Sequence, residues 1–182
     1  YQFSLYCVGH GSYTISDVRI EDTPVGNYRE VDVAIYNPGE TVTLFPAAVE
    51  TSAEVGSIEL LGENEDNYPG FVGPFITNET QTLTSKIQVD VSLPRGLYSS
   101  NDSGGLDEVT VDALFEFQQI DNNGASIGAW QTLANFSATL ATTTPQRFTL
   151  EQAVAQGRYQ VRAKRVGDND DSHRVGDTIV WE

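Results

Sequence analysis

Two runs of alternating residues constrain this chain more than anything else in it. Val109, Val111, Ala113, Phe115 and Phe117 fall on every second position, as do Ile87, Val89, Val91 and Leu93. Successive side chains of a strand point to opposite faces, so this period buries one face and leaves the other in water. Both runs read as strands covered on one side. The first in chain order stops at Pro94, whose missing N–H ends a ladder.

The residues around them extend the pattern. Asp121-Asn122-Asn123-Gly124 is a strong turn signal, followed by Ile127, Trp130 and Leu133 as a further strand; Phe148 and Leu150 mark another. Tyr159, Val161 and Ala163 then alternate with Gln160, Arg162 and Lys164, and a polar run leads to the apolar-rich Asp177 to Trp181. The stretch Gly157–Glu182 is thus predicted to be a hairpin that closes a β-domain. Six or seven strands in about a hundred residues, with turns every 8 to 12, is the pattern of an immunoglobulin-like sandwich, with Trp130 and Tyr159 expected in its core.

Upstream the signals are shorter. Tyr1, Phe3, Leu5 and Cys7 alternate as a first strand, and Tyr13 and Ile15 begin a second. Val18 and Ile20 are one residue out of step with it, which predicts a break near Asp17. Glu21 to Pro24 reads as a turn, Val31, Val33 and Ile35 as a third strand ending at Asn37-Pro38-Gly39, and Thr41 to Phe45 as a fourth. Ala47–Leu61 fits neither period; short strands kinked at Gly56 are favoured over a helix. Glu63 to Gly70 is an acidic loop, Gly73-Pro74-Phe75 a tight turn, and Asn78 to Ser85 a polar connector.

Charge supports a division near residue 84. The chain carries −16 overall; residues 1–84 hold only Arg19 and Arg29 against thirteen acids, whereas residues 85–182 hold eight bases against thirteen. The expected domains are therefore 1–84, β-rich, and 85–182, the sandwich. Such an excess opposes binding to nucleic-acid phosphates and anionic lipid. Cys7 is the only cysteine, so neither an internal disulfide nor a thiolate zinc cluster can form. No apolar run approaches the ~20 residues of a spanning helix, and the lack of any Met points to a piece of a longer polypeptide.

Candidate chemistry is sparse. His10 and His173 lie in Gly- and Asp-rich loops; Ser12 is near His10, but no G-x-S-x-G elbow accompanies it, and both histidines read as solvated. Asp168-Asn169-Asp170-Asp171, with Asp177, offers calcium-type oxygens but lacks the EF-hand glycine and terminal glutamate, and reads as a solvated hairpin loop. Arg158, Arg162, Lys164, Arg165 and Arg174 concentrate the basic charge, with Arg162 and Lys164 expected on a solvent face, balancing acids or meeting an acidic neighbour. Tyr36, Tyr68, Phe71 and Tyr98 are either a sugar-stacking platform or core and rim residues, the latter being the default. Asn78, Asn101 and Asn135 open glycosylation-type tripeptides without supporting context. No pair of carboxylates is nominated for hydrolase chemistry.

Four blocks carry a family resemblance. They are Gly11-Ser12-Tyr13-Thr14-Ile15-Ser16-Asp17-Val18-Arg19-Ile20 running to Asp22-Thr23-Pro24-Val25; Gly73-Pro74-Phe75; Val89-Asp90-Val91 with Leu93-Pro94-Arg95-Gly96-Leu97-Tyr98; and Thr144-Pro145-Gln146-Arg147 with Gly157-Arg158-Tyr159-Gln160-Val161-Arg162-Ala163. In this order they resemble the central region of the tail-tip attachment (host-specificity) protein J family of lambda-like long-tailed phages and prophages. One departure is Glu21, where such proteins often place Gly; an ordinary backbone conformation is expected there.

The resemblance implies an all-β chain: a hub or hub-insertion domain over 1–84, then a fibronectin type III-like sandwich over 85–182. It implies a structural role at the virion tail tip, supporting host attachment and DNA delivery after synthesis in the host cytoplasm. The implied partners are other tail-tip proteins and copies of the chain itself, as a homotrimer in the full-length protein, with no nucleic-acid recognition and no membrane insertion by this segment. The family assigns no catalytic, cofactor or metal residues to these blocks, so no enzyme activity is expected. The rival expectation is a carbohydrate-binding or adhesin-type β-sandwich.

Overall fold

A computed structural model describes residues 6, 8, 9, 11, 13–28, 31–40, 52 and 54–182. The expected strands Tyr1 to Cys7, apart from Tyr6, and Thr41 to Phe45, as well as His10, Ser12 and residues 47–51 and 53 of Ala47–Leu61, lie outside the described residues. The chain divides into two compact units, Tyr1–Val49 and Glu50–Glu182.

In the first unit, β1 (Arg19–Ile20) and β2 (Thr23–Pro24) form an antiparallel hairpin followed by a 3-10 turn, Val25–Asn27. Asp17 has φ 59, the break predicted from the shifted alternation. Glu21 has φ 52, contrary to the ordinary conformation expected. The reason is the turn: Ile20 pairs with Thr23, and a two-residue hairpin loop demands positive φ at its first residue whatever its side chain. Asn37 to Glu40 is the expected turn, with Glu40 N donating to Asn37 O at 3.0 Å. Val31, Val33 and Ile35, expected in a half-buried strand, are 38%, 47% and 46% exposed and belong to no described ladder.

The second unit is a two-layer all-β sandwich. Its strands are β3 (Ile58–Glu59), β4 (Val72–Ile76), β5 (Thr84–Leu93), β6 (Tyr98–Ser100), β7 (Leu106–Asp107), β8 (Val109–Ile120), β9 (Ser126–Leu140), β10 (Gln146–Val166), β11 (Val175–Gly176) and β12 (Val180–Trp181). One layer runs β3-β12-β5 and the first half of β10; the other joins β4, the second half of β10, β8 and β9. A small sheet, β11-β6-β7, lies at one end. The alternating residues face each other across the layers: Val91, Leu93, Phe115, Ala163 and Ile179 are fully buried. Trp181 closes this core, its ring 5.3 Å from Phe75 and 5.8 Å from Phe115.

Three sequence expectations are corrected here. Phe148–Leu150 and Tyr159–Ala163 are not separate strands but parts of the single β10, which pairs with β5 up to Gly157 and with β8 from Arg158 onward. The register shift between Ala153 and Gly157 lets one strand change layers. Gly157–Glu182 is consequently not a hairpin, because β12 pairs with β5 and β3 rather than with β10. Gly73-Pro74-Phe75 is not a turn but the middle of β4, an edge strand with a cis Gly73–Pro74 peptide. Gly73 is required there: its φ is 98, and a Cβ would lie 2.9 Å from Val161 O.

Candidate functional site

β10 carries four of the five basic residues singled out above together with Tyr159, and its two faces send them to different places. Tyr159, on the inner face, is 3% exposed and donates its hydroxyl hydrogen to Ala155 O at 2.7 Å. A buried tyrosine bonded to backbone a few residues upstream is the tyrosine corner of immunoglobulin-like sandwiches. Burial raises its pKa above the ordinary tyrosine value.

Arg158 is buried rather than solvent-facing. Its guanidinium donates to the carbonyls of Asn78, Asp121 and Asn122. The same Asn78 is 6% exposed: its amide donates to Thr82 O at 3.1 Å, and its Oδ1 accepts from Tyr159 N and Thr77 Oγ1. The connector after β4 is therefore clamped to β10, and Asn78 is a buried clamp rather than a surface acceptor. Periodicity could not reveal it; its only signal was an amide among small polar residues.

On the outer face, Arg162 donates through Nε and Nη2 to Glu116 Oε2 at 2.8 and 2.6 Å. Its guanidinium carbon lies 3.9 Å from the ring centre of Phe71 and 4.0 Å from that of Trp130. Trp130 is half-buried outside the core where the sequence placed it inside, because the irregular register of β9 near Gln131 turns it onto the charged face. A guanidinium plane suits two aromatic faces and a carboxylate at once. One of the rings a sugar platform would use, Phe71, is thus engaged by Arg162. Tyr68, whose hydroxyl lies 3.5 Å from Glu63, is half-buried, and burial, then the Glu63 charge, raises its pKa.

Beyond β10, the acidic loop zips onto the other acidic loop. Asn64 Nδ2 donates to Asn169 O at 2.9 Å, Asn169 N to Asn64 Oδ1 at 3.0 Å, and Asn169 Nδ2 to Glu65 Oε1 at 2.8 Å. Arg165, 4% exposed, donates to Asp177 Oδ2 at 2.6 Å and to the carbonyls of Asp177 and Asp168. Asp177 also accepts from Asp170 N, and Asp170 from Ser172 N. The loop is solvent-exposed at Asp168, Asp170 and Asp171 and is also tied down at both ends, with Asp170 and Asp177 accepting from N–H groups. Among the described residues no group of three His, Cys, Asp or Glu side chains could hold a metal ion.

A cavity of about 160 Å³ borders this knot, lined by Arg95, Arg165, Asn169, Asp171, the exposed His173 and neighbouring backbone. Its polar walls lack the apolar floor usual for a small-molecule site. Arg165 Nε and Asn169 Oδ1 are buried without a hydrogen-bond partner. Arg174 reaches outward to Asp102 at 2.6 Å, and Lys164 lies 4.0 Å from Glu63.

Residues 72–182 match the family model of the tip attachment protein J, FNIII-A domain. The chain belongs to this family. The match begins at β4 and ends at the last residue, so the FNIII-A domain of protein J takes in both layers of the sandwich, the switching strand β10 and the tyrosine corner. No curated protein matches the chain. Among solved structures, the receptor binding domain of the spike protein P1 from bacteriophage PM2 is similar at 11% identity, over 72% of this chain and 91% of that chain, with a TM-score of 0.33. That likeness is too low to support an argument. Membership of the protein J family gives the chain a place in phage tail-tip attachment.

Proposed function

We propose that this chain is a non-enzymatic scaffold segment of a phage tail-tip host-specificity protein, holding the tip together while the host is engaged and DNA delivered. The observation that carries the reading is the protein J family match over residues 72–182, which takes in every strand of the sandwich from β4 onward. The use of polar side chains supports it: Arg158, Arg162 and Arg165 bond to carbonyls and carboxylates of the same unit, which stiffens a module. Its partners are other tail-tip proteins and further copies of the chain. The acidic excess disfavours sticking to DNA that passes nearby.

Immunogold labelling of virions with antibody raised against the chain tests this directly. Gold at the tail tip is expected. Gold on the capsid, or antigen found only free of particles, would overturn it.

A further inference from the structure

The turn Asp121 to Ala125, which joins β8 to β9, is a strong sequence motif that the scaffold reading leaves unused. Of the ten asparagines in the chain, only Asn123 precedes a glycine. Asn122, Asn123, Gly124 and Ala125 are all exposed. The backbone N–H of Asn123 donates to Asp121 Oδ1 at 2.8 Å, but its carboxamide has no hydrogen-bond partner among the described residues. The carboxamides of Asn64, Asn78, Asn101, Asn122 and Asn169 are all engaged. Gly124 has φ 85, and a Cβ there would meet nothing within 4 Å, so the space beside its nitrogen is open.

We propose that Asn123 is a site of spontaneous covalent modification, converting to aspartate and isoaspartate, and that the isoaspartyl form loosens the anchor of the connector after β4. The Gly124 N–H gives its proton to hydroxide and the nitrogen attacks Asn123 Cγ. The new N–Cγ bond closes a five-membered imide, and the Cγ–Nδ2 bond breaks, releasing ammonia with a proton taken from water. Water then opens the imide. Addition at Cγ leaves aspartate in an ordinary chain; addition at the backbone carbonyl carbon of Asn123 leaves isoaspartate, whose main chain runs through Cβ and Cγ and is one carbon longer. Gly124 N donates to Asp121 O at 3.1 Å, so that bond must open first, and the folded chain reacts more slowly than a free peptide. The longer turn matters because Arg158 Nη1 donates to Asp121 O at 3.1 Å and Gln81 N to Asn122 Oδ1 at 3.0 Å. Both bonds tie the connector to this turn, and neither step depends on the tail-tip reading.

Incubating the 182-residue chain for weeks in mildly alkaline buffer, with peptide mapping by mass spectrometry, tests it against a synthetic peptide of residues 118–128. The mass gain of an amide turned acid is expected at Asn123 ahead of the other nine asparagines, more slowly than in the peptide, with isoaspartate among the products. Asn123→Gln sets the carboxamide one carbon further from Gly124 N and is expected to slow the conversion at least about tenfold. The purified isoaspartyl form is expected to melt about 2 °C or more below the fresh chain. Asn123→Asp, which has the new charge without the extra carbon, is expected to melt as the fresh chain does. The proposal is overturned if the peptide converts and the chain does not, if another asparagine reacts first, if Asn123→Gln reacts as fast, or if the isoaspartyl form melts no lower than Asn123→Asp.

Discussion

Tyr159 shows how much one side chain on β10 holds. Its ring stands edge-on to Phe117 at 5.7 Å, and its hydroxyl reaches Ala155 O across the point where the strand changes layers. Tyr159→Phe keeps the ring and removes the bond, so a loss of about 1 kcal/mol in denaturant unfolding is expected. The same residue sets an alkaline limit. Because burial raises its folded pKa, its contribution is complete below about pH 10 and declines as pH rises past that value, where the unfolded chain releases the proton first. The melting temperature of wild type is expected to fall more steeply above pH 10 than that of Tyr159→Phe. Arg165 and Asp177 make a second test, because removing one member of a buried pair strands the other. Asp177→Ala is expected to cost about 3–5 kcal/mol, and pairing it with Arg165→Met should recover much of the loss.

At the scale of elements, the connector after β4 is fixed by one buried amide. Asn78→Ala removes the donor to Thr82 and the acceptor for Tyr159 N, and a loss of about 2 kcal/mol in urea unfolding is expected. Elements of this kind were the hard ones to read. β5 and β8 were legible because Ile87–Leu93 and Val109–Phe117 bury every second residue, and the Asp121 to Gly124 turn announced itself by composition. The middle of β10 was not, since Gln152 to Gln156 crosses between layers with little burial and so has no alternation to show. Gly73-Pro74 looks like a turn in isolation; only the pairing of the flanking Val72 and Phe75 with Ala163 and Val161 makes it part of a strand. The arginines were only partly legible, for a different reason. Position on a strand gives the face, and Arg162 is indeed on the outer one, but it does not reveal that Arg158 and Arg165 find carbonyls inside. Trp181, not Trp130, fills the core, because a break in the register of β9 reassigned the face that spacing had implied.

Over the whole molecule, charge and family membership meet. Most bases of the sandwich are paired with acids or carbonyls of the same unit, so the surplus of acids is expressed outward as a negative field. Added salt screens such self-repulsion, and raising NaCl from about 10 to 150 mM is expected to raise the melting temperature by a few degrees. The proposed tail-tip scaffold needs rigid modules with edges and faces for neighbours. The most direct test of that account is an electron cryomicroscopy map of the tail tip of a virion that carries this chain. The account predicts that the sandwich of residues 72–182 fits density at the tip, with β4 and the switching strand β10 resolved as continuous strands. A map in which the tip has no density matching that sandwich would contradict it.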